Sequence, residues 1–348
     1  MDEIVVVDTG SVDNTPHIAE HHGARVYTLP WTGDFSVARN AALERASGTW
    51  ILYIDADERL CSPKGQCLSV ALDAKAYAGM MVRLHPRPRH TAYAELRLFL
   101  RDPRIRFEGR IHEQILPSVL AVCSADGKSV ADSNFALQHV GYEGDLRHKH
   151  ARNLPLLEQA VKERPDRLYC WYHLGETLAG VGQLDSAEQA LRRGIAIGRK
   201  RNTSTDRAEV TLCYQRLATV IAERGCDPRD IIMEGLRNKA DDHCLRLLAA
   251  KAEIDFGNSE SILPELAALA TIDAASFFDP LIAYDRRTFN LWPHALTGVA
   301  NFRLGNFAEA SRAFRRAAKS PDASIDEQIE YSAKAEVAAA RSGRFNRA

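Results

Sequence analysis

Apolar residues are spaced in two ways along this 348-residue sequence, and the change falls near residue 145. Up to that point short apolar runs alternate with helical segments. A strand beginning at Glu3 ends in Val5 to Asp8. Asn14, Thr15 and Pro16 predict an N-cap and a first helical turn, and Gly23 closes that helix. Ala24 to Leu29 is the next strand. Asp34 caps a second helix, Phe35 to Ala46, which ends at Gly48. Residues Trp50 to Glu58 then read Trp-Ile-Leu-Tyr-Ile-Asp-Ala-Asp-Glu. An apolar run this continuous predicts a strand buried on both faces of a parallel sheet. Strand, helix, strand, helix, strand predicts right-handed βαβ units. Gly79–Leu84, Glu95–Leu100, Ile111–Leu116 and Phe135–Val140 predict further, partly antiparallel strands.

From Leu146 onward the spacing is helical almost throughout: Leu154, Leu157, Val161, Leu168, Leu174, Leu178 and Leu191 recur at helical intervals. Trp171-x-x-Leu174-Gly175-x-x-Leu178, followed by Gly182, Ala187 and Leu191, resembles the tetratricopeptide helix-turn-helix repeat, with small residues where paired helices approach. Gly298, Gly305, Ala310, Phe314 and Ala317 repeat the arrangement, and weaker turns fall at Gly225 and Gly257. The turn glycines are irregularly spaced. The expectation is an all-α tetratricopeptide-like solenoid over 146–348, about four helix pairs degenerate in the middle; an irregular helical bundle is the alternative.

Composition narrows the class. With 45% hydrophobic and 26% charged residues the chain reads as soluble and globular, and a net charge of −1 gives no case for nucleic-acid binding. No apolar run is long enough for a membrane span, and Met-Asp-Glu-Ile is not the start of a signal peptide. Seven cysteines without a Cys-x-x-Cys pair fit reduced thiols in the cytoplasm.

Chemistry concentrates in the first part. Asp55 and Asp57 end the Trp50 run, where open α/β sheets bind ligands. Their oxygens suit a hard divalent cation that also holds a phosphate or diphosphate. An isolated Asp-x-Asp also serves as a helix cap or a turn. Asp8-Thr9-Gly10-Ser11 ends the first strand, where Asp8 can accept hydrogen bonds from a base or ribose or can shape a simple turn. Arg39, on the second helix, can meet a phosphate or lie on a solvated face.

Three ordered motifs carry a resemblance. Asp-Glu-Ile-Val-Val-Val-Asp-Thr-Gly-Ser-x-Asp-Asn-Thr, Pro-Trp-x-x-Asp-Phe-Ser-x-Ala-Arg-Asn and Ile-Asp-Ala-Asp-Glu together resemble family 2 glycosyltransferases of the GT-A fold, over about residues 2–143. The likeness is to the bacterial branch in which tetratricopeptide repeats follow. It implies a Rossmann-like α/β GT-A domain over 1–145, a nucleotide-sugar donor (a UDP-sugar is the expectation), a Mn²⁺ or Mg²⁺ ion and inversion by direct displacement. It also implies that Asp8 contacts the base, Arg39 lies near the nucleotide, Asp55 faces ribose and metal, and Asp57 ligates the metal. The family normally begins with a further strand and helix before the Asp8 strand, so an N-terminally truncated domain is expected.

Later motifs extend the resemblance. Phe107-Glu-Gly-Arg-Ile-His112-Glu113-Gln resembles the segment that carries the base in related inverting enzymes; Glu113 is the first choice and His112 the second. On a strand the two would point to opposite faces. Gln138-His139-Val-Gly141-Tyr142 resembles the His-x-Gly-Tyr segment that closes the domain, where His139 would complete the metal shell or touch the diphosphate. The arginines at 83, 87, 89, 97, 101, 104, 106 and 110 are expected mostly in solvent, with one or two near the diphosphate. Two functions from different classes follow: an enzyme that moves sugar to an unknown acceptor (protein, polysaccharide or lipid-linked), and a tetratricopeptide scaffold with a degenerate transferase domain. The repeats would present an acceptor, bind a protein partner or self-associate. A nucleotidyltransferase is a weaker third, since no Gly-rich, Lys-containing phosphate loop is visible.

Overall fold

The computed structural model describes residues 2–61, 73–140, 147–201 and 203–345. The chain divides into two compact units, one comprising residues up to Pro86 with Ala94–Pro165, the other Arg87–Tyr93 with Asp166 onward. The expected boundary at residue 145 lies among residues outside those described. The helix that follows it, α4 (Arg147–Glu163), groups with the first unit.

The first unit is α/β. Strands β1 (Val5–Asp8) and β2 (Arg25–Thr28) pair in parallel around helix α1 (Thr15–His21). Helix α2 (Phe35–Arg45) follows and starts as expected: the Asp34 carboxylate accepts the Ser36 amide at 2.8 Å. Asn14 makes no side-chain cap; the neighbouring Asp13 accepts from the Thr15 amide instead. Five further strands, β3 (Trp50–Leu52), β4 (Glu58–Cys61), β5 (Tyr77–His85), β6 (Tyr93–Leu100) and β7 (Ser129–His139), form a second sheet in the order β3-β6-β5-β7-β4.

Two expectations are corrected here. The Trp50–Glu58 run is not one strand of a parallel sheet. Its first three residues are β3, antiparallel to β6, and its last residue begins β4, antiparallel to β7. Between them Tyr53 still pairs with β6, its amide donating to the Arg97 carbonyl at 3.0 Å, and the chain then turns before β4. As an edge strand β3 is half-buried, and Ile54 is exposed. Ile111–Leu116 is also not a strand. His112 takes a left-handed backbone (φ 50°), which breaks extended geometry, and Leu116 already opens helix α3 (Leu116–Asp126). Gly79–Leu84 and Glu95–Leu100 lie within β5 and β6, and Phe135–Val140 coincides with the end of β7 except for Val140, which lies one residue past it.

One core joins the larger sheet to α2 and α3. It contains Leu43, Leu96, Phe99, Phe107, Ile115 and Val119, with Trp50 and Tyr53 at its margin. The sheet and α3 meet closely at Gly79, where a Cβ would lie 2.8 Å from Leu96 and 3.1 Å from Val119.

The second unit is helical, from α5 (Leu168–Gly180) and α6 (Leu184–Gly198) through α7 (Ser204–Glu223), α8 (Arg229–Asn238), α9 (His243–Phe256), α10 (Leu263–Leu269) and α11 (Arg287–Asn290) to α12 (Trp292–Arg303), α13 (Phe307–Ala318) and α14 (Ile325–Phe345). The two motif copies form equivalent pairs, α5/α6 and α12/α13. Each turns through a left-handed glycine, Gly182 or Gly305, both at φ 81°. In each pair a second glycine faces a large side chain: a Cβ at Gly175 would lie 2.5 Å from Leu191, and one at Gly298 would lie 2.6 Å from Phe314. Between the pairs α9 and α10 are joined at Gly257, which lacks a left-handed backbone, and an irregular stretch precedes α11; this is the degeneracy the spacing predicts. No helix among the described residues is long and apolar enough to cross a membrane.

Candidate active site

The site is built where β3, β4, β6 and the end of β7 approach α2 and the turn before α3. Helix α2 supplies Arg39. Its neighbour Asn40 is structural: the amide donates to the Phe107 carbonyl at 2.9 Å and accepts the Phe107 N–H at 2.8 Å. This clasp holds the segment that carries Glu113 against α2. Arg39 Nε then donates to Glu113, and Arg39 Nη2 donates to Asp55 Oδ1 at 2.8 Å. The guanidinium lies 5.0 Å from the Tyr53 ring centre and 5.4 Å from that of Phe107. Burial pulls its pKa down, but the charges of Glu113 and Asp55 outweigh burial and hold it above the ordinary value.

Asp57 is set by sheet register. Glu58 stands opposite His139 in the β4–β7 ladder, and the Val140 amide donates to the Asp57 carbonyl at 2.7 Å. The Asp57 carboxylate therefore sits beside His139, Oδ2 to Nε2 at 3.0 Å, and is about half exposed. Gly141 and Tyr142 of the same motif lie outside the described residues.

Beneath these groups is a buried charge network. Arg97, 4% exposed, holds Glu58 through two bonds of 3.0 and 2.8 Å and reaches Glu95 at 3.3 Å. It lies 4.4 Å over the Tyr53 ring, whose hydroxyl bonds Glu95 at 3.1 Å. Burial raises the Glu58 pKa, with Arg97 acting in the opposite direction.

Asp8 ends β1 inside its own turn. Its carboxylate accepts from the Gly10 and Ser11 amides at 3.2–3.3 Å and from the Ser11 hydroxyl at 2.5 Å. These bonds, the hydroxyl first, hold its pKa below the ordinary carboxylate value. Gly10 takes φ 115° in that turn.

Thus the structure brings Arg39, Asp55 and Glu113 together, and Asp57 with His139. Asp55 faces Arg39 rather than joining Asp57 and His139, and no group of three His, Cys, Asp or Glu side chains among the described residues is placed to hold a metal ion. His112 and Glu113 are not alternating strand residues, since both lie in the bend before α3. Of the central arginines, Arg97 enters the cluster, whereas Arg104 pairs with Asp102 and Asp126, and Arg110 bonds the Gly33 carbonyl and Glu163. Sequence reading places Arg97 only among eight arginines expected mostly in solvent and gives Glu95 no role, whereas Arg97 is buried; the available signal was two charges at alternate positions within an otherwise apolar strand.

The chain is similar to several known proteins. Residues 1–71 match the family described as Glycosyl transferase family 2. A TPR repeat-containing protein of Synechococcus elongatus is 35% identical over 206 residues, which cover 57% of this chain and 51% of that one. The SPbeta prophage-derived glycosyltransferase SunS of Bacillus subtilis is 26% identical over 208 residues, 56% of this chain and 47% of that one. An uncharacterized glycosyltransferase of Rickettsia typhi is 44% identical over 59 residues, 17% of this chain and 20% of that one. A thermophilic TPR protein of Thermus thermophilus aligns with 54% of this chain and 91% of its own at 13% identity and a TM-score of 0.37. The chain spans about half the length of the first two relatives. It carries a family 2 glycosyltransferase domain, matched at residues 1–71, ahead of a tetratricopeptide-like helical region.

Proposed function

We propose that this chain is a glycosyltransferase that moves a sugar, with inversion, from a nucleotide-sugar (a UDP-sugar is the first choice) to an acceptor nucleophile. One observation carries the reading: Asp57, about half exposed, lies 3.0 Å from the largely buried His139, beside a second carboxylate group in which Glu113 and Asp55 share Arg39. An oxygen and a nitrogen at that separation suit two ligands of one Mn²⁺ or Mg²⁺. An ion bound by few protein groups completes its shell with substrate phosphates, so the small donor set fits a diphosphate-bridged metal better than an all-protein cage. When bound, such an ion would stabilise charge on the departing nucleotide. Asp55, held by Arg39, would have to turn away from that guanidinium to become a third ligand.

Glu113 is the proposed base, removing the acceptor proton as the nucleophile attacks. Its side chain is 8% exposed and tied to Arg39, so the acceptor must reach it as that ion pair loosens. An anionic diphosphate beside Arg39 would compete for the guanidinium and free the carboxylate. Asp8 shapes the turn at the end of β1 and leaves little acceptor capacity for a base. The helical region is the proposed surface for the acceptor or a protein partner.

The test is calorimetric titration of UDP, with and without Mn²⁺, into the protein and its Asp57→Ala variant. Metal-dependent binding that the substitution abolishes is the expected outcome. A folded protein that binds UDP in neither condition would overturn the proposal.

A further inference from the structure

We propose that Glu58 and Arg97 are positioning residues that hold the Asp55–Asp57 turn in the shape that receives the metal–diphosphate ligand; this rests on the donor-site reading above. The turn has no regular structure of its own, yet it is fixed at both peptide ends. Glu58 Oε2 accepts the Asp55 N–H at 2.8 Å, and the Glu58 N–H donates to the Asp55 carbonyl at 2.9 Å. Asp55 is therefore clamped to Glu58 by side chain and backbone together. Glu58 is itself held by both Nη groups of Arg97.

Geometry decides which function of Arg97 matters. Its planar fork engages both oxygens of Glu58, while its distance to Asp55 Oδ2 is 4.0 Å. A lysine at 97 would keep the charge but could not reproduce two parallel bonds. Glu58→Gln would keep the shape, and its amide oxygen could still accept the Asp55 N–H, but the charged half of the clamp would be lost. Neither side chain faces the open site, since both are buried below the turn. They act through Asp55, as outer groups act on ligands elsewhere. Burying such a pair is a weak route to stability, which fits a role in shape.

The experiment measures Mn²⁺-dependent UDP binding by calorimetry for the parent, Arg97→Lys, Glu58→Gln and the control Arg104→Lys, which alters an exposed ion pair remote from the turn. Binding weakened about 10-fold or more in both site variants, at undiminished stoichiometry and with the control unchanged, is the expected result. Parental affinity with only fewer competent molecules or a lower melting temperature would overturn the proposal, because Glu58 and Arg97 would then serve stability alone. Parental affinity in Arg97→Lys would also overturn it, leaving charge as the sole requirement. If the parent binds nothing, the donor-site reading fails, and this inference with it.

Discussion

The acidic cluster of the first unit and the helix pairs of the second solve opposite packing problems. In the cluster, charged side chains distant in sequence meet in a partly buried space: Arg39 reaches Glu113 across 74 residues, and Arg97 reaches Glu58 across 39. In the pairs, glycines receive apolar side chains from the adjacent helix, as Gly175 receives Leu191 and Gly298 receives Phe314. The first arrangement depends on sheet register and on every charge having a partner. The second depends on local volume. Substitutions should therefore fail for different reasons in the two regions.

The largest effect is expected at Arg97. Arg97→Met leaves Glu58 buried without its partner and should cost about 3–5 kcal/mol. Amide exchange should show the loss in β4–β7 and spare α12–α14; loss spread equally over both regions would erase the contrast drawn here. Next comes Leu191→Ala, which empties the space against Gly175 and should cost about 3 kcal/mol, read from the denaturant midpoint with exchange rising in α5 and α6. An unchanged midpoint would mean that the pair does not depend on that contact.

A smaller effect tests an ionisable group that burial destabilises in the helical unit. Burial, aided by the charge of Asp206, raises Glu209 on α7 from its ordinary 4.5 to about 7. Between those values the native state holds a proton that the unfolded chain has lost. Stability should fall as pH rises through that window, the cost being absent below it and complete above it. Glu209→Gln should flatten the dependence by about 1 kcal/mol between pH 5 and 8, allowing for solvent screening. The same slope in parent and variant would place its origin elsewhere. The smallest effect is at Asp34, whose cap on α2 should be worth about 0.5–1 kcal/mol when replaced by alanine, seen as a shift in the thermal midpoint.

This contrast also explains what was legible in the sequence. Gly182, Gly305, Leu191 and Phe314 could be matched by offset because helix-pair contacts repeat within short stretches. Asp55, Asp57 and the Asp34 cap were legible because they end or begin elements. The extent of the Trp50 run was not, since an apolar run does not disclose whether it crosses a sheet centre or turns at an edge. The strand expected at Ile111–Leu116 failed at one residue, His112, whose backbone no periodicity encodes. Arg97 looked like seven other arginines; only the meeting of β6 with Glu58 distinguishes it. That Asp55 turns toward Arg39 while Asp57 turns toward His139 is likewise a matter of tertiary placement.

The Asn40 clasp bears on the order in which the molecule can assemble. It joins α2 to a residue 67 positions later. The native clasp on α2, and the core that covers Leu43, can therefore form only after Phe107 and Ile115 have been made. The loop closed by this contact is long, whereas α5 can meet α6 almost at once, so the helical unit should fold faster and the first unit should limit the rate. The same amide that holds the candidate base in place sets a kinetic dependence on late-made residues.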